Sequence, residues 1–172
     1  MTTNLSVSER ILFLEQANFF HGFTIDQLKM LASVCDEESF PKDVTIFKEG
    51  EPGGILYIVV SGRVGIEREG ERKGSVVRLA TLEAHSPFGE MNLFDDSPRS
   101  ASALTIEDTR LLELRREPLV ALMRQYPDML LELIKFLSQR IREANDQIAH
   151  LSRSMPRQLH QLYDKLQDPD TK

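Results

Sequence analysis

Pro87-Phe88-Gly89-Glu90-Met91-Asn92-Leu93-Phe94, followed by Pro98-Arg99-Ser100-Ala101-Ser102-Ala103, is the stretch that decides how the rest of the chain is read. Gly89 lets the backbone approach a ligand closely, and a short helical turn after it presents amide hydrogens to an anion. Glu90 lies in that turn. Arg99 arrives after a loop holding Asp95 and Asp96, and its small neighbours Ser100, Ala101 and Ser102 leave space for a compact anion. An Arg fork suits two phosphate oxygens, and a buried carboxylate accepts from ribose hydroxyls. These residues together predict a sugar-phosphate pocket within a small β barrel. The bland alternatives are a structural ion pair of Arg99 with Asp95 or Asp96, a solvated Glu90, and a Ser100 that satisfies a backbone group.

Short β-prone runs surround this stretch. Candidate strands are Val44 to Phe47, Leu56 to Ser61, Arg63 to Glu67, Val76 to Leu82, Ala101 to Ile106 and Thr109 to Leu114, cut by glycine-rich breaks such as Gly50-Glu51-Pro52-Gly53-Gly54. Many short, closely spaced strands predict a mainly β barrel or sandwich with flanking helices. Helical spacing precedes them over about residues 5 to 36, with Thr24 as an N-cap and Gln27 at its N3 position. Between the two N-terminal helices, Asn18-Phe19-Phe20-His21-Gly22-Phe23 reads as an aromatic-filled turn. From Glu117 the chain turns helical again: Pro118 suits a first turn and Pro127 starts a new helix. Ile134, Leu137, Ile141, Ala144, Ile148, Leu151 and Met155 then alternate steps of three and four, a heptad seam that stops at Pro156. Such a seam either joins two chains or docks on the barrel as core. A last short helix over Leu159, Leu162, Tyr163 and Leu166 is expected before the polar end.

Composition excludes more than it identifies. The 172 residues are 41% hydrophobic and 28% charged, a globular balance, and 21 basic against 27 acidic residues give a net charge of -6. A general nucleic-acid sleeve, which needs Lys and Arg against phosphates, does not fit. The single Cys35 allows no internal disulfide, and the four His residues show no ligand spacing, so no metal is expected. No Ser-His-Asp elbow or Cys-His nucleophile pattern appears, so no catalysis is expected. With no signal segment and no apolar run near the roughly 20 residues of a membrane span, a cytoplasmic protein without membrane contact is the expectation.

Phe88-Gly89-Glu90 with Leu93, then Pro98-Arg99-Ser100-Ala101-Ser102, resembles the phosphate-binding cassette of cyclic nucleotide-binding domains, found in bacterial catabolite activators, cyclic-nucleotide-dependent kinases and gated channels. Phe47-Lys48-Glu49-Gly50-Glu51 and Leu56-Tyr57-Ile58-Val59-Val60-Ser61-Gly62-Arg63-Val64 resemble the family's early strands and turn, so the likeness spans roughly residues 15 to 151 in family order. It implies a double-stranded β-helix, or jelly-roll, barrel followed by a long C-terminal helix. The organisation implied is residues 1–128 for the N-terminal helices and barrel, and 129–172 for a dimerisation and lid helix with a short tail helix. Ligand contacts would come from Phe88, Gly89, Glu90, Met91, Arg99, Ser100 and Ala101. Among them, Arg99 would meet the cyclic phosphate and Glu90 the ribose 2′-hydroxyl. On the long helix, Asn145 would meet the base and Arg140 would be a lid cation meeting Glu90; the bland alternative for each is an exposed helix residue.

Three residues depart from the family pattern. His85 stands where a Gly is usual, Asn92 where a small residue is commoner, and Ala144 where the activators place a Thr that reads adenine. The function implied is a cyclic-nucleotide sensor that prefers cAMP to cGMP, needs no cofactor beyond that ligand, forms a homodimer through the C-terminal helix and signals to a separate effector protein. A ligand-free interaction or dimerisation module on the same fold is the alternative, favoured by His85, Asn92 and Ala144. Direct DNA binding is not expected, because the 16 residues after Pro156 (157–172) leave no room for a helix-turn-helix.

Overall fold

The computed structural model describes residues 4–70, 72 and 74–154, with the side chains of 151–154 excepted. The expected tail helix over Leu159 to Leu166 and the seam residue Met155 lie outside the described residues, as does the side chain of Leu151. Two N-terminal helices, α1 (Val7–Gln16) and α2 (Ile25–Val34), come first. Both begin with a reciprocal capping box. Thr24 Oγ1 accepts from the Gln27 amide while Gln27 Oε1 accepts from the Thr24 amide, and Ser6 with Glu9 does the same for α1. Phe19, Phe20 and Phe23 fill the turn between them edge to face.

Eight strands follow among the described residues: β1 (Asp36–Phe40), β2 (Thr45–Phe47), β3 (Ile55–Ser61), β4 (Val64–Glu69), β5 (Val76–Leu82), β6 (Pro87–Phe88), β7 (Ser102–Thr105) and β8 (Thr109–Arg115). They form two four-stranded antiparallel sheets in the orders β1-β8-β3-β6 and β2-β7-β4-β5, the jelly-roll arrangement. Tyr57, Val59, Val64, Phe88, Ala103 and Leu111 make the core between them, lined by Phe40, Ile46, Phe47 and Ile66. The alternate residues Leu56, Ile58, Leu112 and Leu114 are fully buried as well, and α3 (Arg116–Gln125) lies against β8 and α2. Strand β3 is therefore covered on both faces, which is why it reads as an unbroken apolar run instead of an alternation.

Helix α4 (Asp128–Ser154) begins just after Pro127. The chain divides into two compact units, the first ending at Leu133 and the second starting at Ile134. Met129 and Leu133, at the start of α4, are buried within the first unit. Past it, Ile134, Leu137, Ile141 and Ile148 expose between 38% and 65% of their surface.

At the turn entering the cassette, His85 adopts the left-handed conformation, φ 68°, that a Gly would take there. Its amide donates to the Val59 carbonyl at 2.8 Å, and its ring stacks on Phe13 of α1 at 4.8 Å. The turn forms with the imidazole in place, at a strain on the order of 1 kcal/mol.

Candidate functional site

The cassette runs from β6, through a 3-10 turn at Glu90–Asn92, to the start of β7. Phe88 stacks on Tyr57 with ring centroids 5.1 Å apart. The next residue, Gly89, turns into the left-handed region at φ 79°. A Cβ there would lie 2.7 Å from Arg99 Nη1 and 2.8 Å from the Ile55 carbonyl oxygen, so only glycine fits.

Arg99 is the centre of the cradle and is 4% exposed. Its Nη1 donates to the Gly89 carbonyl and its Nη2 to the Ile55 carbonyl, each at 3.1 Å. The guanidinium carbon lies 4.1 Å from the centre of the Phe47 ring. The backbone is pinned as well: the Arg99 amide donates to Glu51 O, and its carbonyl accepts from the Gly50 amide. Nε is buried with no partner among the described residues. Burial pulls Arg99 below its usual pKa, against the stabilising fields of Tyr57, Glu90 and Glu51. A guanidinium has five N–H donors and remains charged in proteins, so this one is buried, cationic and short of acceptors. An anion with two oxygens answers that deficit.

Neither aspartate supplies it. Asp96 pairs with Arg116 at 2.8 Å, and Asp95 accepts from the Ser97 hydroxyl and amide. Arg99 makes no ion pair with either of them. Glu90 is half-buried, close enough to act on Arg99. Ser100 is exposed and points its hydroxyl at the Met91 sulfur, 3.5 Å away, while Ala101, the residue just before β7, is buried. Met91 itself is 63% exposed. Phe88, Gly89, Glu90, Met91, Arg99, Ser100 and Ala101 thus come together. Arg140 and Asn145 lie on the part of α4 in the second unit; both are exposed, and Arg140 faces Glu143 at 4.0 Å.

Two residues with structural work at the site have no motif to announce them. Asn92 is buried, and its side-chain amide donates to the Ser97 carbonyl at 2.7 Å and the Pro98 carbonyl at 2.9 Å. The larger residue at this departure from the family pattern is accommodated because Gly53 opposite it has no side chain; a Cβ there would lie 2.2 Å from Asn92 Cβ. Arg116 is the second, and its one sequence signal is a cation in the first turn of a helix, where the dipole disfavours it. Among the described residues no group of three His, Cys, Asp or Glu side chains could hold a metal ion, and no helix is long and apolar enough to cross a membrane.

Comparison with known proteins gives this cradle a context. The family model described as "Cyclic nucleotide-binding domain" matches residues 37–126, from β1 to just past α3. The "Cyclic AMP receptor protein" of Thermus thermophilus is 38% identical over 133 residues, 77% of this chain and 61% of that protein. A "CRP-like cAMP-activated global transcriptional regulator" of Mycobacterium tuberculosis is 33% identical over 138 residues, 80% of this chain and 61% of that protein. The chain therefore spans about three fifths of the length of these relatives. Among solved structures, the Thermus thermophilus catabolite activator protein superposes with a TM-score of 0.71 at 38% identity, over 79% of this chain and 63% of that one. The jelly roll, the left-handed glycine before the 3-10 turn and the buried arginine all fall inside the matched residues, and the chain belongs to the cyclic nucleotide-binding domain family.

Proposed function

We propose that this domain senses a cyclic nucleotide, cAMP in preference to cGMP, and does no bond-making chemistry. One observation carries the reading: Arg99 is a buried cation with an unpartnered Nε beside a left-handed glycine. The cyclic phosphate takes the free edge of that guanidinium, and Glu90 accepts from the ribose 2′-hydroxyl. Ser100, whose hydroxyl has only the weak Met91 sulfur as acceptor among the described residues, turns to the phosphate. The base meets α4 near Asn145. Ligand then biases the hinge at Tyr126–Asp128 through its different affinity for two arrangements of α4. The exposed seam of α4 joins two copies, and a separate effector protein reads the change.

The alternative of a ligand-free module drew on His85, Asn92 and Ala144. The first two departures weigh less once the cassette geometry is considered. His85 takes the glycine-like conformation, and Asn92 ties the loop ahead of Arg99. Calorimetry with cAMP and cGMP tests the reading. Binding of cAMP tighter than cGMP is expected, and Arg99→Ala is expected to remove most of it, since losing a charge-assisted fork costs about 1.5–3 kcal/mol or more. No heat with either nucleotide at millimolar concentration overturns the proposal.

A further inference from the structure

Beyond the Leu93 amide, which donates to Glu90 O, and the bonds within the loop itself, two side chains hold residues 92–98. Asn92 grips the loop from inside through the Ser97 and Pro98 carbonyls. Arg116 grips it from outside. Its Nε donates to Leu93 O at 2.8 Å, and its Nη1 pairs with the Asp96 carboxylate at 2.8 Å. Nη2 meets Asp95 O and, at 3.5 Å, Asn92 O. Three of these acceptors are carbonyls left over at and just past the end of the 3-10 turn, groups that require an outside donor.

The clasp shares its anchor with the phosphate residue. The Arg116 amide donates to Gly54 O at 2.8 Å, and the next carbonyl in the chain, Ile55 O, is the one that holds Arg99 Nη2. Arg116 therefore grips both ends of the path that leads to Arg99: the β2–β3 loop through its backbone, and the 92–96 segment through its guanidinium. A cation at the first residue of α3 opposes the helix dipole, a cost that the cassette carbonyls offset.

We infer that Arg116 is a positioning residue for the phosphate contact: it sets the 92–98 loop so that Arg99 presents its free edge to the anion. The inference deepens the cyclic-nucleotide reading and rests on it. Lysine cannot replace the arginine, because a single ammonium does not reach acceptors spread over four residues.

The test compares the full chain with Arg116→Met, Arg116→Lys and Asp96→Asn. Calorimetry reads cAMP affinity, and the Arg99 Nε–H cross-peak in a nitrogen-15 spectrum of the ligand-free protein reads the geometry of the cradle. Arg116→Met is expected to weaken cAMP on the order of tenfold or more and to move the Arg99 cross-peak, with core amides such as Leu111 unmoved. Arg116→Lys should recover only part of the affinity. Asp96→Asn should change it by about twofold at most, because that carboxylate is exposed and the carbonyl contacts remain. If Arg116→Met does not fold, Arg116→Lys carries the test. Unchanged affinity with an unmoved Arg99 cross-peak overturns the role. So does weakened binding that comes with shifts across the core and none at Arg99. If the wild type binds neither nucleotide, the sensing reading fails on its own; an unmoved Arg99 cross-peak in the variant then overturns the positioning role separately.

Discussion

A methyl group at position 89 would press on Arg99 Nη1 and on the Ile55 carbonyl at once, while the backbone there holds φ 79°. Gly89→Ala therefore meets two penalties. The left-handed backbone costs about 1 kcal/mol for any side chain, and the crowded guanidinium must leave its carbonyls. Thermal melting should show the first as a modest loss of stability, and calorimetry the second as a fall in cAMP affinity of at least about tenfold. An unchanged affinity would mean that Arg99 does not need this seat. The pairing of Gly89 with Arg99 was legible in the sequence because a tight glycine turn against a buried guanidinium demands particular residue types at fixed places. Asn92 and Arg116 were not. They bind main-chain carbonyls, which every residue carries, so no pattern of side chains around them reveals the partner.

Among the strands, β8 carries the clearest tension. Glu113 is buried on it, opposite Asp36 of β1 and Tyr57 of β3. Burial raises its pKa first; Glu38 and Asp36 push in the same direction, and Arg115, 3.8 Å away, pushes against them. Glu113 in turn helps burial push the Tyr57 hydroxyl up to about 12. Because the folded pKa of Glu113 lies above the unfolded one, the native state holds the proton more tightly. The resulting penalty is absent below the ordinary carboxylate range, grows as pH rises through the unfolded and then the folded value, and is full above that. Glu113→Gln should melt above the wild type at neutral pH, with the gap closing near about pH 4. A gap that widens on acidification would reverse the sign and sink the account. Strand β1 shows why part of the fold escaped the sequence. Asp36-Glu37-Glu38-Ser39-Phe40 has no apolar alternation; the cross-strand pairs Glu37–Arg110 and Asp36–Arg115 help to hold it on β8, and these become visible only once the register is known. By contrast β3, β5 and β8 follow from their own composition, and β6 is only two residues long, below what any periodicity can mark.

For the molecule as a whole, the proposed association rests on α4. Its apolar seam is exposed along Ile134, Leu137, Ile141 and Ile148, the spacing of a two-stranded coiled coil. Ile141→Lys places a charge in that seam and should convert a dimer to a monomer in sedimentation at micromolar concentration. A wild type that is already monomeric there would remove the homodimer from the proposed function. The order of strands carries a consequence for synthesis. Strand β8 lies between β1 and β3, joining residue 36 to residue 113, and β2 likewise waits for β7. A ribosome delivers β3, with its run Leu56 to Val60, long before the strand that covers its edge. Until β8 emerges that edge stays open to other nascent chains, and the loop closures needed make the barrel slow to form. The barrel therefore closes only once its last strand has been made, and Arg116, which holds the loop ahead of Arg99, follows that strand directly.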